Sequence, residues 1–166
     1  MNRKILALAP ILVASSIIKQ NKKLKVTKTT LDFNNLPYSF DNFKIAQVSD
    51  IHCDKVGLSD LAFLSKIRKF SPDIIVITGD ILDSYKNDMD VAYNILSQLS
   101  IIAPCYFISG NHELRLPKEY AELKIMLSKL KITHLHNESI LLNRNQDFIN
   151  LVGVEDYNFF KNEDNL

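Results

Sequence analysis

Three short stretches concentrate the side chains able to do metal or acid–base chemistry: SDIH (Ser49–His52), TGDILD (Thr78–Asp83) and SGNHE (Ser109–Glu113). Aspartate oxygens and histidine nitrogens suit hard-to-borderline divalent cations such as Mn, Fe or Zn. None of the three stretches contains Lys or Arg, so their carboxylates, once gathered, would repel each other unless cations neutralised them. Two cations about 3.5–4 Å apart can clamp the attacking and leaving oxygens of an in-line phosphoryl displacement. A single Gly-Asp or Asn-His pair is an ordinary turn. Three such endings, each rich in Asp, Asn and His, point to one site containing Asp50, His52, Asp80, Asn111 and His112.

Residues up to 62 positions apart meet only if the fold brings them together. KIAQVSD (Lys44–Asp50), DIIVITGD (Asp73–Asp80) and PCYFISG (Pro104–Gly110) read as strands, the second a continuous apolar run of the kind buried on both faces of a parallel sheet. Between them, Leu61, Leu64, Ile67 and Phe70 recur at helical spacing, with Ser59 as N-cap and Pro72 as stop. A second helix spans Asp88–Ser100 with Val91, Ile95, Leu96 and Leu99 inward, and a third spans Lys118–Leu130 with Tyr120, Leu123, Leu127 and Leu130 on one side. LKVTKTTLDF (Leu24–Phe33) alternates like an edge strand, NNLPYSFDNF (Asn34–Phe43) is rich in turn residues, and ITHLH, SILLN and DFINLVGV read as three short strands. Alternating strands and helices imply a largely parallel sheet with crossover helices. In such sheets ligands bind at the carboxyl ends of the strands, where all three stretches fall. Gly79 and Gly110, two of only four glycines, directly precede Asp80 and Asn111, where the backbone must turn sharply or approach a neighbour closely.

The 166 residues suit one domain plus a tail, and 46% hydrophobic with 23% charged residues excludes a disordered chain or a disulfide scaffold. The formal net charge of +1 argues against a nucleic-acid partner bound through bulk positive charge. Residues 1–31 hold seven of the 20 Lys and Arg and none of the 19 Asp and Glu, so a basic leader precedes an acidic body. Ile5 to Ile18 is uncharged and, at about 1.5 Å per residue, would extend roughly 21 Å against a hydrocarbon core of roughly 30 Å. Flanking Arg3, Lys4 and Lys19 and the small Ala14, Ser15 and Ser16 fit a membrane anchor or a signal segment over residues 1–23. Membrane association is expected. The lysines after the run favour a cytosolic body, whereas cleavage or export would place it outside. The Lys19–Lys28 cluster reads equally as a lipid-headgroup contact or a solvated linker.

DIH (Asp50–His52), GDILD (Gly79–Asp83) and GNHE (Gly110–Glu113), in this order and each after a strand, resemble the first three signature blocks of calcineurin-like metallophosphoesterases. With the leader and FKIAQVSDIH (Phe43–His52), the chain is most similar to their bacterial membrane-anchored branch. The resemblance implies an α/β fold, the N-terminal part of a four-layer α/β/β/α sandwich preceded by an apolar helix. It implies hydrolysis of a phosphodiester or pyrophosphate, lipid-linked in some members, by two divalent metal ions. Asp50 and His52 would bind the first ion, Asp80 would bridge both, and Asn111 would bind the second through its amide oxygen. His112 would sit beside the phosphate and donate a proton to the leaving oxygen or stabilise its charge. Asp83 and Glu113 would take supporting or capping roles. The later His-bearing strand end and GHxH block of the family do not occur, so residues 24–166 are expected to be a domain incomplete at its C-terminus.

His134 and His136 share one face of a short strand but lack the GHxH context, and are expected to be packing or surface histidines. Cys53 is expected to pack at the site's edge, and with Cys105 it forms no CxxC pattern. No GxGxxG or GxxxxGK[ST] occurs, which excludes a nucleotide-binding Rossmann or P-loop reading. The competing reading is a catalytically inert module that keeps the first half of the fold.

Overall fold

The computed structural model describes residues 26–53, 60–85 and 88–156. The chain divides into two units, Met1–Asp32 and Phe33–Leu166. The leader at residues 1–23 lies outside the described residues, as does Ser59. Residues 26–33 form no strand, contrary to the alternation of Leu24–Phe33, and Val26, Leu31 and Phe33 are exposed. Alternation makes a strand only when a neighbouring backbone pairs with it. The turn-rich stretch that follows holds a 3₁₀ turn at Tyr38–Phe40.

In the second unit strands and helices alternate: β1 (Ile45–Val48), α1 (Asp60–Phe70), β2 (Ile74–Thr78), α2 (Met89–Ile102), β3 (Cys105–Ile108), the single turn α3 (Asn111–Leu114), α4 (Pro117–Lys129) and β4 (Thr133–His134). A hairpin of β5 (Glu138–Arg144) and β6 (Asp147–Gly153) follows. The termini of the helices follow from local chemistry. The Asp88 carboxylate accepts the Val91 N–H at the start of α2, and Pro117 occupies the first turn of α4, where its missing N–H loses nothing. After α1, Ser71 turns into the left-handed region at φ 51° and Pro72 ends the helix.

Strands β1 to β4 form one parallel sheet in the order β1-β2-β3-β4. With right-handed crossovers, a strand order that advances steadily puts every helix on one face. The core follows that rule through the period-2 alternation of β2 and β3. Ile75, Ile77, Cys105 and Phe107 pack on Leu64 and Ile67 of α1, Ile95, Leu96 and Leu99 of α2, and Leu123 and Leu127 of α4. Ile74, Val76 and Tyr106 face the opposite side and pack with Phe40, Ile140, Leu142, Ile149 and Leu151, most of them from the hairpin. The unit is therefore a helix layer, a parallel sheet and a second β layer, consistent with the metallophosphoesterase fold. Each fully buried Ile or Leu contributes about 1.5–3 kcal/mol relative to exposure, so the two-sided burial of β2 anchors the strand whose carboxyl end carries Gly79 and Asp80.

Candidate metal centre

Parallel pairing in register, Val48 with Ile77 and Thr78 with Ile108, ends β1, β2 and β3 at one edge. The pairing continues past the strands. Asp50 N–H donates to Gly79 O, His52 N–H to Asp80 O at 2.9 Å, and Cys53 N–H to Ile81 O at 2.7 Å. Asp50, His52 and Asp80 all adopt left-handed backbone, at φ 55°, 45° and 54°. Such geometry costs on the order of 1 kcal/mol or more for a residue with a Cβ, and here it falls on three residues at the same sheet edge.

Both glycines prove to be requirements of close approach. A Cβ on Gly79, which itself sits at φ 79°, would run into the backbone of Gly110. A Cβ on Gly110 would overlap the Asp80 carboxylate. Glu113 stitches the two loops together. Fully buried, it accepts the N–H groups of Asp80 (2.9 Å), Gly110 (2.8 Å) and Leu82 (2.9 Å). Its place three residues after Gly110 is the position from which a glutamate reaches back to a helix start, in line with the capping role expected of it.

His52, Asp80 and His112 converge, each offering a ligand atom within 4.8 Å of the others. The rings of His52 and His112 meet edge to face at 4.7 Å. Asp50 lies outside this trio, more exposed, with Oδ1 4.0 Å from His52 Nε2. Asn111 opens α3 immediately before His112. Asp83 Oδ2 is 3.8 Å from His52 Nδ1, beyond hydrogen-bond reach, while its Oδ1 accepts the Tyr85 N–H at 2.8 Å.

The donor set fits a divalent cation. Among the described residues His52 Nδ1 is buried without a hydrogen-bond partner, and the carboxylates of Asp50 and Asp83 lie beside its ring. His112 is constrained differently. Its Nδ1 receives the Ser84 N–H at 3.0 Å, with Ser84 Oγ at 2.9 Å. An Nδ1 that accepts a backbone N–H leaves the proton of the neutral ring on Nε2. In that tautomer Nε2–H is a hydrogen-bond donor and cannot also ligate a metal, which favours His112 as a hydrogen-bond donor to a bound oxyanion over its counting as a third ligand. Asp80 Oδ1 accepts the His112 backbone N–H at 3.1 Å, tying the two residues together. Nothing in the residue types announces Ser84, because its role depends on a turn that brings it to a residue 28 positions away.

The family model for calcineurin-like phosphoesterases matches residues 43–165. The chain belongs to this family. Among its relatives, the bovine (Bos taurus) transmembrane protein with metallophosphoesterase domain is 32% identical over 139 residues, covering 79% of this chain and 31% of that protein. The zebrafish (Danio rerio) protein of the same description is 28% identical over 156 residues, covering 91% of this chain and 36% of that protein. The uncharacterized metallophosphoesterase YkoQ of Bacillus subtilis is 27% identical over 159 residues, covering 92% of this chain and 59% of that protein. The chain thus spans about a third of the first two relatives and somewhat more than half of the third. Among the described residues of this metallophosphoesterase, no helix is long and apolar enough to cross a membrane.

His134 and His136 lie away from the trio. His134 Nε2 meets Tyr120 Oη at 3.0 Å, and its ring packs 5.5 Å from Phe107. Burial lowers its pKa below the ordinary histidine value. His136 Nδ1 lies 2.8 Å from Glu155 Oε2. Cys53 is buried in the helix-side core. Burial pushes the Cys105 thiol up to about 12, so it stays protonated.

Proposed function

We propose that this metallophosphoesterase hydrolyses phosphodiester or pyrophosphate bonds with a pair of divalent cations (Mn, Fe or Zn), Asp50 and His52 holding one, Asp80 shared between both, and Asn111 holding the second through its amide oxygen. Bound cations would neutralise the carboxylates and polarise the phosphoryl group. The chain's own residues supply the rest. Asp80, drawn to the sheet edge by the Gly79–Gly110 contact, is fixed through its backbone by Glu113. His112, its Nδ1 engaged by Ser84, presents Nε2–H as a hydrogen-bond donor that stabilises the charge developing on the leaving oxygen. Convergence of His52, Asp80 and His112 from three strand ends is the observation that carries this reading.

Residues 1–23 act, in this proposal, as a membrane anchor or signal segment for the domain that begins near residue 24. That two relatives are described as transmembrane proteins supports membrane attachment. A substrate presented at the bilayer, a lipid-linked phosphoester, fits that attachment. The test is hydrolysis of bis(p-nitrophenyl) phosphate with added Mn²⁺, comparing the chain with Asp80→Ala. Metal-dependent turnover lost in the variant supports the proposal, and turnover that survives Asp80→Ala or needs no metal refutes it.

A second reading rests on the ligand inventory. Within these residues the second cation has only Asp80 and a neutral amide, which fits a module that binds a metal or a phosphate without turning it over. Binding of Mn²⁺ without hydrolysis, even when the chain is extended with the C-terminal part of a longer relative, would favour it.

A further inference from the structure

Among the described residues, the buried polar or charged side chains are those of Ser109, Glu113 and Glu155. Glu113 belongs to the site described above. The other two form a separate cluster one strand over, along the same carboxyl edge of the sheet. Glu155, two residues past β6, has its side chain fully shielded from solvent. Its Oε1 accepts the Ser109 hydroxyl at 2.6 Å, its Oε2 lies 2.8 Å from His136 Nδ1, and its backbone N–H donates to Asn137 Oδ1 at 3.0 Å. A carboxylate removed from water is strongly unfavourable unless it is paired or hydrogen-bonded; the Ser109 hydroxyl supplies Oε1 with its hydrogen bond, while Oε2 has the His136 ring nitrogen beside it without hydrogen-bond geometry, so the Ser109 contact is a condition of the segment's placement. The order of contacts excludes a serine nucleophile. Ser109 gives its proton to the carboxylate and not to an imidazole, and it is 3% exposed.

What Ser109 does have is position, because Gly110, Asn111 and His112 follow it directly. We propose that Glu155 is a positioning residue for the metal centre, holding the head of the 109–113 loop in place through Ser109. The proposal deepens the phosphoesterase reading by adding a residue from the second β layer to its machinery. Glu113 grips the loop from inside the site, at the N–H groups of Asp80, Leu82 and Gly110. Glu155 grips it from the hairpin side. The slack between the two is small, because Gly110 already touches the Gly79 backbone and the Asp80 carboxylate. A displacement at Ser109 therefore reaches Asp80, Asn111 and His112.

The experiment uses the full chain and four variants: Glu155→Ala, Glu155→Gln, Ser109→Ala and, as a stability control, Leu142→Ala in the hairpin core. Backbone hydrogen exchange is followed over residues 109–116, where Leu114 and Arg115 donate to Gly110 and Asn111. Mn²⁺ affinity is measured in parallel from the signal of the free ion. Glu155→Ala and Ser109→Ala should exchange faster in that stretch and bind Mn²⁺ roughly 10–100-fold more weakly, the loss typical when a partner of a ligating residue is removed. Glu155→Gln, the same length and still an acceptor for Ser109, should restore most of both. Leu142→Ala should lose stability yet keep the wild-type exchange pattern in this stretch. Exchange unchanged in Glu155→Ala, or accelerated equally in Leu142→Ala, overturns the proposal. So does accelerated exchange with full Mn²⁺ affinity. If the wild type binds Mn²⁺ and the variants lose it, yet no phosphoester is hydrolysed, the catalytic reading fails while the positioning role stands.

Discussion

At the scale of single residues, the tautomer of His112 makes the sharpest difference. If Nε2–H hydrogen-bonds the leaving oxygen and stabilises its charge, its removal matters in proportion to how poor the leaving group is. His112→Asn should therefore keep much of the turnover of a p-nitrophenyl ester, whose leaving group needs little charge stabilisation. It should lose about 10²-fold or more on an alkyl phosphodiester. Comparing kcat for the two substrates checks this, and an equal loss on both would assign His112 to metal or phosphate binding instead. His134 yields a pH prediction. Burial outweighs the pull of Glu155 and holds its pKa below the ordinary value. The unfolded chain then binds the proton more readily than the folded one. Its contribution is intact above about pH 6.5 and is lost as the pH falls below that value. His134→Phe should flatten the decline of the urea midpoint between neutral pH and pH 5, measured beside the wild type.

At the scale of elements, the hairpin holds the sheet face opposite the helices. Leu142 is its buried anchor, packed with Ile74 and Phe40. Leu142→Ala should cost about 2–5 kcal/mol in urea unfolding, the range for a leucine deleted from a packed core. Hydrolysis per folded molecule should not change, because Leu142 lies in a different layer from the strand-end loops. A Cβ on Gly153 would run into Leu135, with Ile108 close behind, so the end of β6 is seated tightly where the chain turns toward Glu155.

For the whole molecule, the number of metal ligands it offers bears on the proposed hydrolysis. A hydrolase with two cations must keep coordination positions open for substrate, so protein ligands cannot be spared freely. The chain alone should turn over bis(p-nitrophenyl) phosphate slowly in Mn²⁺, and fusion to the C-terminal part of a longer relative should raise kcat by at least about tenfold. Steady-state kinetics on both proteins check this, and equal kcat values would mean that Asp50, His52, Asp80 and Asn111 suffice. Leu141, Phe148 and Val152 leave an apolar outer face on the hairpin, a surface of the kind that favours self-association.

The local chemistry was legible in the sequence. Continuous apolar runs, helical spacing and the stop at Pro72 are local signals, and they marked the three strands whose ends carry DIH, GDILD and GNHE. Gly79 and Gly110 could be read as close approaches because few glycines occur and both stand beside metal-competent side chains. Residues 24–33 misled, since alternation is local but pairing is not, and no strand forms over 26–33. What only the tertiary structure decided are the contacts across the sheet edge. Ser84 engages His112 over 28 positions, Glu113 spans two loops, and Glu155 reaches Ser109 over 46. A serine or glutamate has no periodicity or spacing that reveals its partner. Its role exists only once parallel strands have brought distant turns within hydrogen-bond distance, and burial then makes each such bond costly to lose.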